Sequence, residues 1–475
     1  MTPKRPTIVP VEVWEQAPEP VQVVMSAMVE YYEQRIAQLE AEVRELTARL
    51  NQHSQNSSKP PSSDGPHVKR KPPKPPSGRK PGGQPGHPLH QRALVPVDDV
   101  DEVIACKPEQ CRRCGQPLTG SDPAPWRQQV MELPPVHPHM TEYQRHRLKC
   151  PRCGITTCGE LPAGVVPTCY GARLASVVAL CTGGYRMSKR MAASFCREVL
   201  GIELSLGEIS QIEQTVTSAV APAVEEAVVY VQSCDLNIDE TPWKERGKRR
   251  TLWTLVTTQL SVFAITTGRG ATVLRQLVGE WYSGFLTSDR AKVYDSYPRR
   301  RRQVCWSHLM RDFQAMIDRG GPGRVVGEAL LEHAHVVFAW WHWVRDGTWQ
   351  RSTFQSYVQR LRASFKLELE WGTQNACPKT AATCRELLVR EAALWTFVRV
   401  EGVDPTNNLA ERSLRHGVLW RKVSFGTQSE RGSRFVASML TVLMSCQQQK
   451  RNALAYLTAC CQAFYASRPV PSLVP

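Results

Sequence analysis

The stretch CDLNIDET, residues 234–241, decides the fold. Leu236 and Ile238 alternate with Asp235, Asn237 and Asp239, the period of a strand with one apolar and one acidic face. The apolar run before it extends the expected strand back to Val228, as VVYVQSCDLNID. Working outward, LWTLVTTQL and SVFAITTG read as two further strands, ATVLRQLVGEWY as a helix and GFLTSD as a fourth strand ending at Asp289. From Trp306 to about 400, and again from 406 to 467, the pattern is helical. Strands followed by helices predict an α/β core with an all-α insertion.

Upstream, residues 171–221 read as three helices broken at Gly183-Gly184 and at Gly201, with Ser188 and Ser205 as N-caps. The last two have helix-turn-helix spacing, and Arg186, Lys189 and Arg190 give them positive charge for DNA. A plain helical connector fits the same spacing. Further back, Cys111-Arg-Arg-Cys114 and Cys150-Pro-Arg-Cys153 form two CxxC knuckles separated by 35 residues, each followed by glycine. Four soft sulfurs suit one tetrahedral zinc, and a closed ligand set makes the ion structural. Cys106 and Cys158 are alternative ligands.

Between Val24 and Leu50 the apolar residues Met25, Val29, Tyr32, Ile36, Leu39, Val43, Leu46 and Leu50 alternate at steps of four and three. That heptad predicts a two-stranded parallel coiled coil and hence a homodimer or higher oligomer. From Lys59 to Arg92 there are ten prolines, five glycines and eight Lys or Arg against one Asp, a basic linker with no core to bury.

The chain has 475 residues, a net charge of +16 and 41% hydrophobic residues. That composition excludes wholesale disorder and points to a polyanionic partner. No apolar run approaches the ~18 residues of a membrane span. MTPKRPTIVP lacks the apolar core of a secretory signal, so the cysteines are expected in a reducing cytoplasm. The expected divisions are a flexible 1–23, a coiled coil 24–50, a linker 51–92, a zinc module 93–165, a helical DNA-binding domain 166–225, a first core part 226–317, a helical insertion 318–400 and a second core part 401–475.

Asp239, Asp289 and Glu411 are the acids that chemistry at phosphorus would use. Two carboxylates at strand ends and one on a helix can hold two Mg2+ or Mn2+ ions about 3.5–4 Å apart. Each acid also has a bland reading. Asn408-x-x-Glu411 matches a capping box, Glu411 and Arg415 an i,i+4 pair, and Asp289 a helix cap. Spacing alone does not join Asp289 to Glu411 across 122 residues.

Six blocks in order, NIDETPW, LTSDRAKVYDSY, CWSHLMRDF, PTNNLAERSLR, FGTQSERGSRF and a terminal LAYL, resemble those of the DDE transposases of insertion-sequence family 66. The coiled coil, NSSKPPSSD, RKPGGQPGH and the cysteine module agree with that resemblance. It implies an RNase H-like core with Asp239, Asp289 and Glu411 as catalytic triad. It also implies cleavage and joining of double-stranded DNA at element ends and target, accessory transposition proteins, and a bacterial cytoplasmic, nucleoid-associated setting. The chain departs from the family pattern at Asp312 and at His416, where relatives carry a basic residue and a proline. Cys305-x-x-His308 resembles the C-x-x-H feature of several DDE transposases, and with Asn407 and Asn408 it is expected to support the site. Arg300 and Arg301 in the run 299–302, with Arg412, Arg421 and Lys422, are further phosphate candidates. The four tryptophans at 340, 341, 343 and 349 read as core. The second expectation is a catalytically inactive, zinc-containing DNA-binding relative acting as a repressor, against which the three intact acids weigh.

Overall fold

The computed structural model describes residues 5, 9–53, 57, 59, 92–162, 164, 165 and 169–475. Most of the linker expected at 51–92, with most of NSSKPPSSD and RKPGGQPGH, lies outside the described residues.

A short α1 (Val11–Gln16) precedes α2 (Glu19–Leu50), a 32-residue helix. At 1.5 Å per residue α2 is about 48 Å long. Its seam residues Tyr32, Ile36, Leu39, Val43 and Leu46 are exposed, so nothing among the described residues covers the stripe. In the cysteine-rich segment β1 (Arg147–Lys149) and β2 (Thr156–Cys158) form an antiparallel hairpin. The segment between the knuckles that contains MELPPV, residues 131–136, makes no strand pairing.

Three helices follow: α3 (Ala172–Ala179), α4 (Lys189–Leu200) and α5 (Leu206–Val231). A π turn, Leu180–Gly184, closes the first. Ser188 caps α4, Gly201 ends it at φ +67°, and Ser205 with Glu208 makes a full capping box on α5. Residues 228–231 belong to α5, which corrects the strand expected there. Ile209, Ile212, Val216, Val220, Ala223, Ala227 and Val231 are buried at helical spacing, so the burial period carries the β-branched run into the helix.

β3 (Leu236–Glu245), β4 (Lys248–Val256) and β5 (Ser261–Thr266) form an antiparallel meander. After α6 (Ala271–Val278), β6 (Leu286–Ser288) pairs parallel with β3, and β7 (Arg302–Val304) pairs parallel with β6. The sheet order is β5-β4-β3-β6-β7. β3 runs six residues beyond Asp239, which corrects the expectation that the strand ends there.

The remaining elements are α7 (Trp306–Asp318), α8 (Pro322–Arg345), α9 (Arg351–Gly372), α10 (Pro378–Val389), α11 (Glu391–Leu394), α12 (Thr396–Arg399), α13 (Asn408–Ser424), α14 (Glu430–Gln448) and α15 (Ala453–Tyr465). Two apolar cores result. One unites α3–α5, the sheet and α13–α15, so the helices upstream of the sheet share its core. The other lies among α7–α12 around Trp306, Phe313, Phe365 and Trp395. Trp341 is buried there, whereas Trp340 and Trp343 meet Trp349 nearer the surface, and only part of the tryptophan group is core. The Trp306 amide donates to the Pro405 carbonyl at 2.9 Å, joining the start of α7 to the segment before α13. α13 crosses β4 at Gly417, where a Cβ would collide with Leu252. No helix among the described residues is long and apolar enough to cross a membrane.

Candidate active site

Asp239 pairs with Thr254 of β4 on one side of its strand. On the other side the pairing with β6 stops at Asn237↔Thr287. The sheet therefore opens into a notch beside Asp239, and Asp289 follows β6 directly at that notch. No helix starts at Arg290, so Asp289 is not a helix cap. Its carboxylate accepts the Ala291 amide at 2.9 Å in a local turn.

Glu411 arrives in the first turn of α13. The capping box with Asn408 is not formed. Asn407 is the N-cap residue and makes no side-chain cap, because that side chain is engaged elsewhere. Its amide donates to the Ile238 carbonyl at 2.8 Å, its oxygen accepts from Asn237 at 3.2 Å, and its backbone N–H donates to the Cys305 thiol at 3.1 Å. One fully buried asparagine thus ties β3, the start of α7 and the start of α13 together. Asn408 is exposed.

The three acids share one electrostatic neighbourhood. Burial, then the charges of Glu240, Asp289 and Glu411, hold the Asp239 carboxyl well above the usual carboxylate range. Glu411 Oε1 lies 3.3 Å from His308 Nδ1 instead of pairing with Arg415, and neither atom has a well-formed hydrogen bond. Burial and then Arg311 lower the His308 pKa, while Glu411, Asp289 and Asp312 oppose them. Donor atoms of Cys305, His308 and Glu411 lie within 4.8 Å of one another. Burial pushes the Cys305 thiol up to about 11, so it stands as a neutral acceptor for the Asn407 amide. Glu411 Oε1 is left without a hydrogen bond, and a carboxylate oxygen of that kind suits a hard divalent cation, but Asp239 and Asp289 are not drawn into one donor set with it: among the described residues that set is Cys305, His308 and Glu411.

Glu240, Tyr294 and Arg269 also line this neighbourhood, and no motif spacing in the sequence marks them. The Glu240 side chain is only 3% exposed and pairs with Arg269, whose Nε lies 2.7 Å away. The Tyr294 hydroxyl donates to the same carboxylate. Burial raises the Glu240 pKa, against the opposing pull of Tyr294 and Arg269. Asp312, one of the family departures, accepts a two-pronged hydrogen bond from Arg290, whose third nitrogen reaches Glu386 of α10 at 2.9 Å.

The expected phosphate contacts divide. Arg190, Arg412 and Lys422 are exposed, and Arg186 is half-buried at φ +58°. Lys189 is engaged with Glu213 at 2.8 Å and Ser210 at 2.7 Å. Arg421 is spent inside the fold, donating to Thr241 Oγ1 at 2.9 Å and the Pro242 carbonyl at 2.6 Å. Arg300 and Arg301 are exposed but precede β7, at the end of the parallel strands opposite Asp289. Arg302, last of that run, is buried and paired with Asp295 at 2.7 Å.

The two knuckles make the same turn twice. The Cys111 amide donates to the Gln116 carbonyl at 2.9 Å and the Cys150 amide to that of Ile155 at 2.8 Å. Gly115 and Gly154 have φ +75° and +72°, which glycine adopts without strain. Backbone N–H groups of Arg113 and Cys114 lower the Cys111 pKa, and those of Cys153 and Arg152 lower that of Cys150. The knuckles are preformed but not drawn into one four-sulfur set. Among the described residues the group of three or more donors is the one around Glu411.

A family model described as "Transposase IS66 family" matches residues 169–435. A second, described as a family of unknown function (DUF6444), matches residues 11–93. An uncharacterized protein, y4qI, from Sinorhizobium fredii is 27% identical over 209 residues, which are 40% of this chain and 38% of that protein.

Proposed function

The chain belongs to the IS66 transposase family, and on that footing we propose that it is a DNA transposase that cuts at element ends and joins the freed 3′-hydroxyl to target DNA. The observation that carries the reading is the placement of Asp239 and Asp289 at the notch where the β3–β6 pairing ends, with Glu411 in the first turn of the helix that packs along β3. The antiparallel meander continued by two parallel strands supports an RNase H-like core.

Asp239, Asp289 and Glu411 would hold Mg2+ or Mn2+, which when bound supplies charge for the phosphate oxygens and activates the attacking oxygen. Asn407 sets the distance between Asp239 and Glu411, because it touches the residue before one and starts the helix of the other. His308, with Cys305 behind it, orients the Glu411 carboxylate. Double-stranded DNA would meet the exposed Arg190, Arg412 and Lys422. The knuckles at Cys111, Cys114, Cys150 and Cys153 would close on a structural zinc, supported by their matching turns. The uncovered seam of α2 supports pairing of two protomers through a coiled coil. Accessory transposition proteins and a cytoplasmic, nucleoid-associated setting complete the reading.

The test is strand cleavage and transfer with magnesium, with and without chelator, on a duplex carrying an element end. Asp239→Ala, Asp289→Ala and Glu411→Ala should each keep DNA binding and lose at least about 100-fold in cleavage. A variant that cuts at a near-native rate takes that residue out of the site.

A further inference from the structure

Strand β3 and helix α13 run side by side from the acids to a common tip. Asn407 joins their starts, and Arg421 joins their far ends through the Pro242 carbonyl. Beyond Arg421 the chain turns back along the hairpin. The Thr427 amide donates to the Lys244 carbonyl at 2.9 Å, and the Arg246 amide to the Thr427 carbonyl at 2.9 Å. A Cβ at Gly426 would collide with the Lys244 carbonyl, so contact here is as close as backbone permits.

Two residues at this tip stand in left-handed backbone where glycine or asparagine is the cheaper choice. Arg246, at φ +49°, begins the two-residue turn Arg246-Gly247 between paired Glu245 and Lys248. Turns of this kind favour Asn-Gly. Phe425, at φ +59°, ends α13 and is 77% exposed. That ring brings the fold little apolar burial in return for a strained backbone. Around it Lys244, Lys248, Arg249 and Lys422 are exposed. The hairpin acid Glu245 is buried, paired with Arg250 at 3.1 Å and accepting the Ser433 hydroxyl at 2.6 Å. Exposed Glu430 is the nearby counter-charge, 3.8 Å from Arg434.

We propose that Phe425 and the Arg246–Arg249 hairpin tip form a second duplex-DNA contact, with the ring set against a base step or sugar edge and the cations on flanking phosphates. Glu411 and Phe425 are fourteen residues apart on one helix, about 21 Å at 1.5 Å per residue. That distance corresponds to about six base pairs of duplex measured from the acids. The proposal rests on the transposase reading and deepens it, fixing where DNA leaves the cutting site.

The test uses the full-length chain and a labelled, mixed-sequence duplex of about 40 base pairs in about 50–200 mM salt. Lys248→Ala combined with Arg249→Ala should bind about 10-fold more weakly and lower the salt slope by about two. Phe425→Asn, which suits the left-handed backbone, should weaken binding about 5-fold or more with the slope unchanged. Phe425→Tyr should bind as the parent does, and all of these variants should keep the parent's thermal unfolding. Parent-like affinity in both Phe425→Asn and the double variant overturns the proposal. So does a defect confined to a single-stranded probe of the same length. Cleavage by Asp289→Ala reads the acids separately. Weakened hairpin variants beside an Asp289→Ala that still cuts would leave this contact standing and remove the acids. Native-like hairpin variants beside an Asp289→Ala that no longer cuts would remove this contact alone.

Discussion

Asn407 donates its side-chain amide to the carbonyl of Ile238 at 2.8 Å, one residue before Asp239 and four before Glu411. It is fully buried, so removing it leaves the Ile238 carbonyl and the Asn237 amide without this partner. Asn407→Ala should lower unfolding free energy by about 1–3 kcal/mol in a denaturant titration. It should also raise the magnesium concentration needed for cleavage, while Asn408→Ala, at an exposed position, does neither. Parent-like magnesium dependence in a folded Asn407→Ala would reduce this residue to a structural part.

Asp295 ties the sheet to the insertion, with Arg302 Nη1 at 2.7 Å and Arg390 Nε at 2.7 Å. Burial pushes its pKa up, but hydrogen bonds from Arg390 and Arg302 more than reverse this and leave it below the ordinary value. A carboxyl depressed in the folded state stabilises the fold above its unfolded value of about 3.9 and loses that contribution as pH falls through the folded value. Acid unfolding curves should therefore show a limb below about pH 4 that flattens in Asp295→Asn. That variant takes a carboxylate from two buried guanidinium groups, leaving Arg390 with Glu386 and Arg302 with Ser288 and the Asp289 carbonyl. Because the carboxylate is 39% exposed, the cost at neutral pH should fall at the lower end of about 3–5 kcal/mol.

If the knuckles close on zinc, metal analysis of the purified chain should find one ion per protomer. Cys111→Ser and Cys150→Ser should each lose it, whereas Cys106→Ser and Cys158→Ser should keep it. Chelation should expose 93–165 to protease and leave the thermal transition of the 169–435 region in place. Full zinc occupancy in Cys150→Ser would remove the paired-knuckle assignment.

The α2 seam predicts its own assay. Ile36→Glu with Val43→Glu puts charge into consecutive positions of one stripe and should turn a dimer into a monomer in sedimentation equilibrium. A parent that sediments as a monomer at micromolar concentration would leave the stripe without a partner helix.

Much of the core was legible because its signals are local. β4 and β5 follow apolar runs, Ser188 and Ser205 cap where their side chains reach N3 amides, and Gly201 ends a helix as left-handed glycine does. The misreadings share one cause, competition decided by tertiary contacts. Val228, Val229 and Val231 are β-branched and Tyr230 is aromatic, yet burial of Ala227 and Val231 at helical spacing keeps the run in α5. β7 is not legible because Arg302-Gln303-Val304 follows an arginine run, and burying Arg302 depends on the distant partners Asp295, Ser288 and the Asp289 carbonyl. Asn408 and Glu411 have capping-box spacing, but the cap position belongs to Asn407, whose side chain Ile238 has taken. The acids themselves were named from sequence by resemblance. Their proximity was out of reach, since it depends on β6 stopping short of Asp239 and on Gly417 letting α13 lie against β4.

The hydrogen bond between Trp306 and Pro405 closes the helical segment between them at its base, and the ties of Arg290 to Glu386 and of Asp295 to Arg390 fasten α10 and its end beside it. Lengthening a closed loop costs only logarithmically, about 0.6 kcal/mol per doubling. The helices beyond α7 can therefore grow, shrink or take on new duties while Asp289 and Glu411 stay where they are, and variation between related chains should collect there before it reaches the notch.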